Sequence, residues 1–266
     1  MKVKGFTLIE MVVSMIIIGI ISLGLINFGV ISSSLFVENK YRLHALEEAR
    51  FVLARFGREL ANTVPLSSRM LDDGRCMEYI PLLYVGEFLP EQMELDITKS
   101  DAAFPMAYPV KNQLASCFID PASPCFVSIY PTASADLYQG ANDEKQIYTL
   151  KSAEAQSLTI AETLSRLPLT PSNRLFVYQP FARQFCVENK QLRYYPSYPI
   201  SFAGLGQYNG QPSVKFAQGV NETQNVFSLG FNGTYSSTAN LRFSLNINQG
   251  KEAVEFMQNA QILNSQ

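Results

Sequence analysis

The chain has 266 residues, a formal net charge of −2 and a single histidine. This length is enough for one large domain or two small ones with a buried core. The nearly balanced charge gives no strongly basic surface for nucleic acid, and one histidine excludes multi-histidine metal sites and most histidine-based catalytic triads.

The first predicted element is a long apolar run near the N-terminus. No residue from 11 to 37 is charged, and a helix of this length covers about 40 Å against a hydrocarbon core of about 30 Å. A secretory signal peptide has a shorter apolar region of about 7–15 residues, so the run predicts a transmembrane helix. Lys2 and Lys4 precede it and favour a cytoplasmic N-terminus, which places the chain after the run outside the cytoplasm.

The helical pattern continues beyond the apolar run. In the stretch FVENKYRLHALEEARFVLARFGREL, apolar residues recur three to five positions apart with charges between them, which is typical of an amphipathic helix. Pro65 follows as a stop signal. We therefore predict one helix of about 55 residues and about 80 Å, apolar all round in its first half and one-sided in its second.

The remaining chain changes to the period of β-strands. LRFSLNI (241–247) alternates strictly, VFSLGF (226–231) nearly does, and AVEFMQNAQIL suits a last strand. Residues 181–186 and 192–195 flank a break at 188–190, which predicts a β-hairpin. The segment 96–145 is predicted to be loop-rich with short strands. The fold class is therefore α+β: a long helix packed on one β-rich antiparallel domain.

Four cysteines lie after the apolar run, at Cys76, Cys117, Cys125 and Cys186. Outside the cytoplasm they can form disulfides, and four cysteines allow three pairings between which sequence does not decide. One arrangement pairs Cys117 with Cys125 around a small proline-containing loop. Cys76 and Cys186 then close a loop of about 110 residues, which contributes roughly 4 to 5 kcal/mol in the chain-entropy model.

Motifs that carry chemistry are absent from the sequence. It contains no G-x-S-x-G, P-loop, H-E-x-x-H or C-x-x-C motif, and the only histidine, His44, falls on the predicted helix. We expect no enzyme activity, no cofactor and no metal site. RYYPSYP (193–199) groups Tyr194, Tyr195 and Tyr198, which suits strand packing or, as an alternative, an exposed patch that binds a ligand.

The N-terminal stretch resembles a known export signal. GFTLIE, with a short basic leader before the glycine and a long apolar run after it, resembles the type IV prepilin signal, also called the type III signal sequence. The resemblance implies that a prepilin peptidase cuts between Gly5 and Phe6 and methylates the Phe6 amine. Glu10 then becomes the fifth residue of the mature chain, and its implied partner is the N-terminal amine of a neighbouring subunit.

The resemblance also implies a division of the chain. Residues 1–5 would be the leader peptide and 6–62 the long helix, of which about 6–37 is transmembrane or filament core and 38–62 amphipathic. Residues 63–266 would form a periplasmic β-rich domain of the pseudopilin type. The protein would be anchored in the bacterial inner membrane by a single span and enter a pilus after assembly.

Segments further along the chain resemble a narrower group. EARFVLARFGREL, RCMEYIPL, FCVENKQLRYYP and EAVEFMQNAQILNS are similar to the large minor pilins grouped with the MSHA-pilus biogenesis protein MshO. That group is related to W-type minor pilins and to the J-type pseudopilin of type II secretion. Major pilins of the commonest class often have a proline at the position of Asn27, whereas no proline lies between Met1 and Val64 here.

The narrower resemblance implies a non-enzymatic structural subunit. Such a protein helps to initiate or assemble a type IV, MSHA-like pilus and is incorporated at or near its tip. Its partners would be other minor and major pilins, the prepilin peptidase and the inner-membrane assembly platform. The alternatives are a J-type pseudopilin of type II secretion and a tip adhesin that uses the tyrosine-rich segment.

Overall fold

The N-terminal helix, α1, spans Leu8–Ala61 and has 54 residues. It confirms the single long helix predicted from the sequence. The helix ends where Asn62 leaves helical geometry, shortly before Pro65. The computed structural model describes residues 7–94, 96, 98, 100–110, 112–168, 170–200, 208, 210–221, 226–231, 237–247 and 252–262.

The two halves of α1 have different surroundings. From residue 8 to residue 37 every side chain that the structure describes is exposed. In the second half Ala49, Val52, Phe56 and Leu60 are fully buried, three or four positions apart. This spacing places them on one face of the helix, so the amphipathic half is the part that packs on the rest of the protein.

The described chain after α1 contains one further α-helix, α2 (Ser134–Leu137), and fourteen strands. The strands are β1 (Arg69–Leu71), β2 (Cys76–Tyr79), β3 (Tyr84–Glu87), β4 (Ala103–Pro105), β5 (Phe126–Ser128), β6 (Ile147–Glu154), β7 (Ser157–Ile160), β8 (Arg174–Tyr178), β9 (Phe181–Glu188), β10 (Gln191–Pro199), β11 (Val214–Gln218), β12 (Phe227–Phe231), β13 (Ser237–Ile247) and β14 (Glu252–Ile262). All paired strands within the three sheets are antiparallel, which confirms the predicted α+β class.

Two of the sheets pack against the second half of α1, and we call these two sheets the framework. One has five strands in the order β1-β2-β9-β10-β11, and the other has three in the order β12-β13-β14. The predicted hairpin is β9–β10, and its turn residues Asn189 and Lys190 have φ of 51° and 58°. Positive φ at both central residues is typical of the tight type I′ turn, which matches the twist of the strands. The predicted strands near the C-terminus are also present.

Aromatic side chains form the centre of the framework. Phe56 of α1 lies 5.6 Å from the Phe185 ring and 6.0 Å from the Phe227 ring, measured between ring centroids. Phe185 belongs to the five-stranded sheet and Phe227 to the three-stranded sheet. One helical residue therefore joins both sheets in a single core.

The third sheet is an insertion between two neighbouring strands of the framework. Strands β2 and β9 pair directly, from Cys76 opposite Cys186 to Tyr79 opposite Arg183. The chain between them, residues 80–180, forms a six-stranded sheet in the order β3-β8-β5-β6-β7-β4. We call this the inserted sheet. It contains the segment predicted to be loop-rich, in which β4 and β5 have three residues each.

The inserted sheet has a hydrophobic core of its own, which includes Phe88, Phe104 and Val127. A separate cluster joins it to the five-stranded sheet. There Tyr138 donates to the backbone oxygen of Ser67 at 3.0 Å. The inserted sheet is therefore packed against the framework rather than connected by the chain alone.

Candidate functional site

The first half of α1 is an apolar surface that the rest of the described protein leaves uncovered. An 18-residue window of this helix has a mean hydropathy of 2.5, and none of it is buried. Contiguous exposed apolar surface of this extent marks contact with a membrane or with other proteins. By length and composition α1 is the one helix in the described chain able to cross a bilayer.

Three serine hydroxyls within this surface are satisfied by the helix itself. The hydroxyl of Ser14 donates to the Met11 carbonyl at 2.8 Å, and that of Ser22 donates to the Ile18 carbonyl at 2.7 Å. Ser34 bonds in the same way to the carbonyl of Ile31. In an apolar environment an unsatisfied hydroxyl is costly, so these local bonds make the surface compatible with lipid or with neighbouring helices.

Glu10 lies in the first turn of α1 and takes part in a capping box with Thr7. Its Oε2 accepts from the Thr7 backbone N–H at 3.4 Å and lies at the same distance from the Thr7 hydroxyl. The carboxylate is therefore turned toward the N-terminal end, where the helix dipole favours negative charge. This role of Glu10 was not predicted from the sequence, although T-x-x-E before an apolar run is the usual signal of a capping box.

The predicted cleavage site lies outside the described residues. Gly5 and Phe6 both precede Thr7, the first residue that the structure describes. The predicted cut between them and the methylation of Phe6 therefore remain predictions. What the structure places is Glu10, four positions after Phe6 in the chain and oriented toward that end of the helix.

Near its C-terminal end α1 is held to the framework by a buried carboxylate. Glu59 lies 2.5 Å from Arg55 Nη2 and 2.7 Å from Arg183 Nη1, and it accepts from the Tyr79 hydroxyl at 3.0 Å. Burial raises the pKa of Tyr79 well above its usual value, and the nearby Tyr194 and Glu59 raise it further. Tyr79 and Arg183 are cross-strand partners on β2 and β9. Glu59 thus fixes the helix to the point where the chain enters and leaves the inserted sheet.

The four cysteines form two disulfides. Cys76 pairs with Cys186 at a Cα–Cα distance of 4.1 Å, and Cys117 pairs with Cys125 at 5.2 Å. The first disulfide joins β2 to β9, the two strands that flank the insertion. The second lies within the insertion. In the described chain no cluster of histidine, cysteine, aspartate or glutamate could hold a metal ion.

The three tyrosines of the tyrosine-rich segment are buried, so the hypothesis of an exposed aromatic patch is wrong. Tyr194, Tyr195 and Tyr198 are 4%, 6% and 2% exposed. Tyr194 stacks on Phe216 at 5.0 Å, and the Tyr198 hydroxyl donates to Glu78 at 2.6 Å. These side chains serve the packing of β10, the other use considered from the sequence.

Comparison with known protein families finds a match at the N-terminus of the chain. Residues 1–26 match the family described as "Prokaryotic N-terminal methylation motif". No curated protein and no solved structure matches the chain significantly. The match covers the stretch that contains Gly5, Phe6 and Glu10 and the start of the exposed apolar helix. The chain therefore carries the N-terminal methylation motif of type IV pilin-like proteins.

Proposed function

We propose that the protein is a minor pilin, a non-enzymatic subunit that helps to initiate or assemble a type IV, MSHA-like pilus. The observation that carries the proposal is the continuity of three features in one element. The methylation motif leads into α1, the first half of α1 is uncovered, and its second half anchors a β-rich framework. Such an element can leave a membrane and join a bundle of similar helices while the framework stays outside.

The proposed processing removes residues 1–5. A prepilin peptidase cuts between Gly5 and Phe6 and methylates the new amine, and residues 6–37 then anchor the protein in the inner membrane. Residues 63–266 form the periplasmic part. The two disulfides support this side of the membrane, since disulfides persist in the periplasm and are rare in the cytosol.

Glu10 would set the position of each subunit relative to its neighbours in the filament. Helices that leave lipid for a helical bundle gain little hydrophobic free energy, so specificity must come from packing and polar contacts. A carboxylate within a membrane costs at least a few kcal/mol unless it is paired. The capping box holds Glu10 at the end of α1, where the methylated amine of a neighbouring subunit can reach it. Before that neighbour binds, the hydrogen bond between Glu10 and Thr7 reduces the free-energy cost of an unpaired carboxylate in the membrane.

Two features favour a minor subunit at or near the tip over the bulk subunit. The inserted sheet adds about a hundred residues to the framework. A subunit at the tip has free space on one side for these residues. In the filament wall, every repeating subunit would need space for them between its neighbours. The long helix also contains no proline. The proposed partners are the prepilin peptidase, other minor and major pilins and the inner-membrane assembly platform.

Two substitutions test this proposal in cells that carry the full chain. Gly5→Leu should block cleavage, so that mass spectrometry finds a precursor that retains residues 1–5. Glu10→Ala should leave cleavage largely intact but remove the subunit from sheared filaments. Glu47→Ala, an exposed glutamate on the second half of α1, is the matched control and should be incorporated normally. Normal processing of Gly5→Leu would overturn the pilin proposal, and normal incorporation of Glu10→Ala would overturn the ion pair.

A further inference from the structure

Strand β14 lies at one edge of the three-stranded sheet. In the described chain β14 pairs with β13 alone, and it does so over eleven consecutive residue pairs without a register shift. At about 3.4 Å per residue this strand is about 37 Å long. We call the side of residues 252–262 that faces away from β13 the β14 edge.

The hydrogen-bond pattern shows which backbone groups lie along the β14 edge. Arg242 of β13 donates its N–H at 2.8 Å to the carbonyl of Val226, on the β12 side of β13. Successive residues of a strand bond in alternate directions, so the residues on either side of Arg242 bond to β14, where their partners are Phe256 and Gln258. The backbone N–H and C=O groups of the residues that alternate with these two therefore point away from β13. These residues include Ala253, Glu255, Met257 and Asn259.

The other sheet edges in the described chain are short, and two of them are joined. The remaining edge strands have three to five residues each. At the ends of the two edge strands of the inserted sheet, the Leu89 N–H donates to the Pro105 carbonyl and the Ala107 N–H to the Glu87 carbonyl, both at 2.9 Å. Proteins commonly keep open edges short or interrupt them with lysine or proline, because a long regular edge pairs with other strands. β14 contains neither residue, so its edge is suited to pairing.

The side chains of β14 alternate between two environments. Phe256 and Ala260 pack in the core with Val52 of α1, whereas Met257 is 63% exposed on the opposite face. Val254 and Phe256 are only partly buried. A strand added to the β14 edge would extend this face of the sheet and cover more of both side chains. The added strand therefore needs apolar residues at alternate positions, on the face that packs toward α1.

The chemistry of the β14 edge selects an extended backbone from another chain. Donors and acceptors that alternate at strand spacing are matched by a second strand, whereas a helix has already used its own backbone groups. Each stretch of the sequence outside the described residues has at most seven residues, the longest being 201–207. None of these stretches is long enough to pair with all eleven residues of β14.

Filament geometry, which belongs to the proposed function, argues against β14 of a second copy as the added strand. Two identical edges can pair only about a two-fold axis, and such a contact closes a dimer. Successive subunits of a filament are related by a rotation and a translation, so their contacts are heterologous. The other described edges of a second copy offer at most five residues. A strand from a different subunit satisfies both conditions.

The position of β14 relates this edge to the assembly surface. β14 packs against the second half of α1, and the first half of the same helix is uncovered. Subunits whose helices lie side by side in a bundle also bring the strands beside those helices together. We propose that a strand of a different pilin-like subunit adds to the β14 edge and bonds to the backbone of residues 253–259. This inference rests on the proposed function and names the surface that recognises the neighbouring subunit.

Photo-crosslinking in intact piliated cells tests the proposal. The full chain carries p-benzoylphenylalanine in place of Asn259, whose side chain is exposed beside the β14 edge. We expect an adduct with a different protein that has its own N-terminal methylation motif, mapped by mass spectrometry to a segment with apolar residues at alternate positions. Leu167, which is exposed in the insertion, is the control position and should not give this adduct.

A proline on the β14 edge should lower the yield of this adduct. Met257→Pro removes an outward N–H, and proline is tolerated on edge strands. We expect a loss of about tenfold, which corresponds to about 1.4 kcal/mol. Met257→Val also changes the side chain but keeps the N–H, so it should lower the yield far less. Equal losses in the two variants would overturn the proposal, because they would show that the side chain rather than the backbone makes the contact.

Hydrogen exchange gives a second readout that needs no substitution. The Met257 amide should exchange at least about tenfold more slowly in sheared filaments than in the isolated full chain in detergent, because a partner strand accepts its hydrogen bond. The Phe256 amide bonds to β13 and should be protected in both states. An unchanged rate at Met257 would overturn the proposal.

The crosslinking experiment also separates failure of this proposal from failure of the pilin proposal. An adduct with a second copy, an adduct within the chain or no adduct would overturn pairing at the β14 edge. Cleavage after Gly5 is measured by mass spectrometry on the same sample. A chain that is cleaved and incorporated but gives no adduct with a different subunit overturns the edge proposal alone. A chain that retains residues 1–5 overturns the pilin proposal and this inference with it.

Discussion

The framework and the inserted sheet use different ways to bury a core. A 54-residue helix covers the two sheets of the framework, and a single helical residue, Phe56, contacts aromatic residues of both. In the inserted sheet the strands have three to eight residues, and the core contains no residue of the long helix. The core of the framework therefore depends on the long helix, whereas the core of the inserted sheet does not.

The two regions meet where the chain passes between them and across a buried cluster to which both contribute. The chain enters and leaves the insertion between β2 and β9, where Cys76–Cys186 and the Glu59 cluster both lie. A partner that binds the inserted sheet can affect α1 by two routes, through strands β2 and β9 or through the buried tyrosine-containing cluster beside them.

The largest expected effect comes from the disulfide at the connection. Cys76 and Cys186 are 110 residues apart, whereas Cys117 and Cys125 are 8 apart. In the chain-entropy model, serine replacement of the first pair lowers the free energy of unfolding by about 4–5 kcal/mol, and replacement of the second pair by about 2–3 kcal/mol. Equilibrium urea unfolding measures both. Equal losses would mean that loop length does not govern the stabilisation.

Removal of the helical aromatic at the centre of the framework should have the next largest effect. Phe56→Ala empties a fully buried site between two sheets, which costs about 3–5 kcal/mol. Phe51→Ala on the same helix is the control, since Phe51 is half exposed and should cost much less. Hydrogen exchange of Val127 and Val177 in the inserted sheet then shows whether that sheet remains protected when the framework is weakened. Loss of protection in both regions together would show that they unfold as one unit.

Glu59→Gln keeps the shape of the side chain but removes its charge. Arg55 and Arg183 then face a neutral amide, which should lower the free energy of unfolding by about 1–3 kcal/mol, because both arginines are partly exposed. Glu59→Gln in combination with Arg183→Met forms a double-mutant cycle. Additive losses in urea unfolding would contradict a direct contact between the two residues.

Tyr198→Phe should have the smallest effect at neutral pH, about 1–2 kcal/mol, because it removes a buried hydroxyl that lies 2.6 Å from Glu78 and 2.8 Å from Gln184. Burial raises the pKa of Tyr198 above its usual value, and the neighbouring Glu78 raises it further. The unfolded chain therefore loses this proton above about pH 10 while the folded protein keeps it, so stability falls as pH rises. In Tyr198→Phe this fall should be shallower by about 1.4 kcal/mol per pH unit. Identical alkaline slopes would contradict the buried hydroxyl.

Local patterns were sufficient for α1 and most of the framework. The apolar run followed by a one-sided repeat predicted α1 nearly to its ends, and strict alternation predicted β13. Asn189 and Lys190 fall at the predicted hairpin break. The inserted sheet was less predictable because β5 has only three residues and pairs with β6 and β8, which lie far from it in the sequence. A strand of three residues is too short to show the alternation of apolar and polar residues from which strands are predicted.

The features of the candidate site also fall into those that the sequence could predict and those that it could not. The sequence by itself determined the membrane-length helix, the motif around Gly5, Phe6 and Glu10, and the absence of common catalytic motifs, because each depends on residues that are neighbours in the chain. Only the tertiary structure decided that Tyr198 is buried and that Glu59 binds the strands flanking the insertion. Burial and long-range contact depend on which distant segments meet, and no local pattern contains that information.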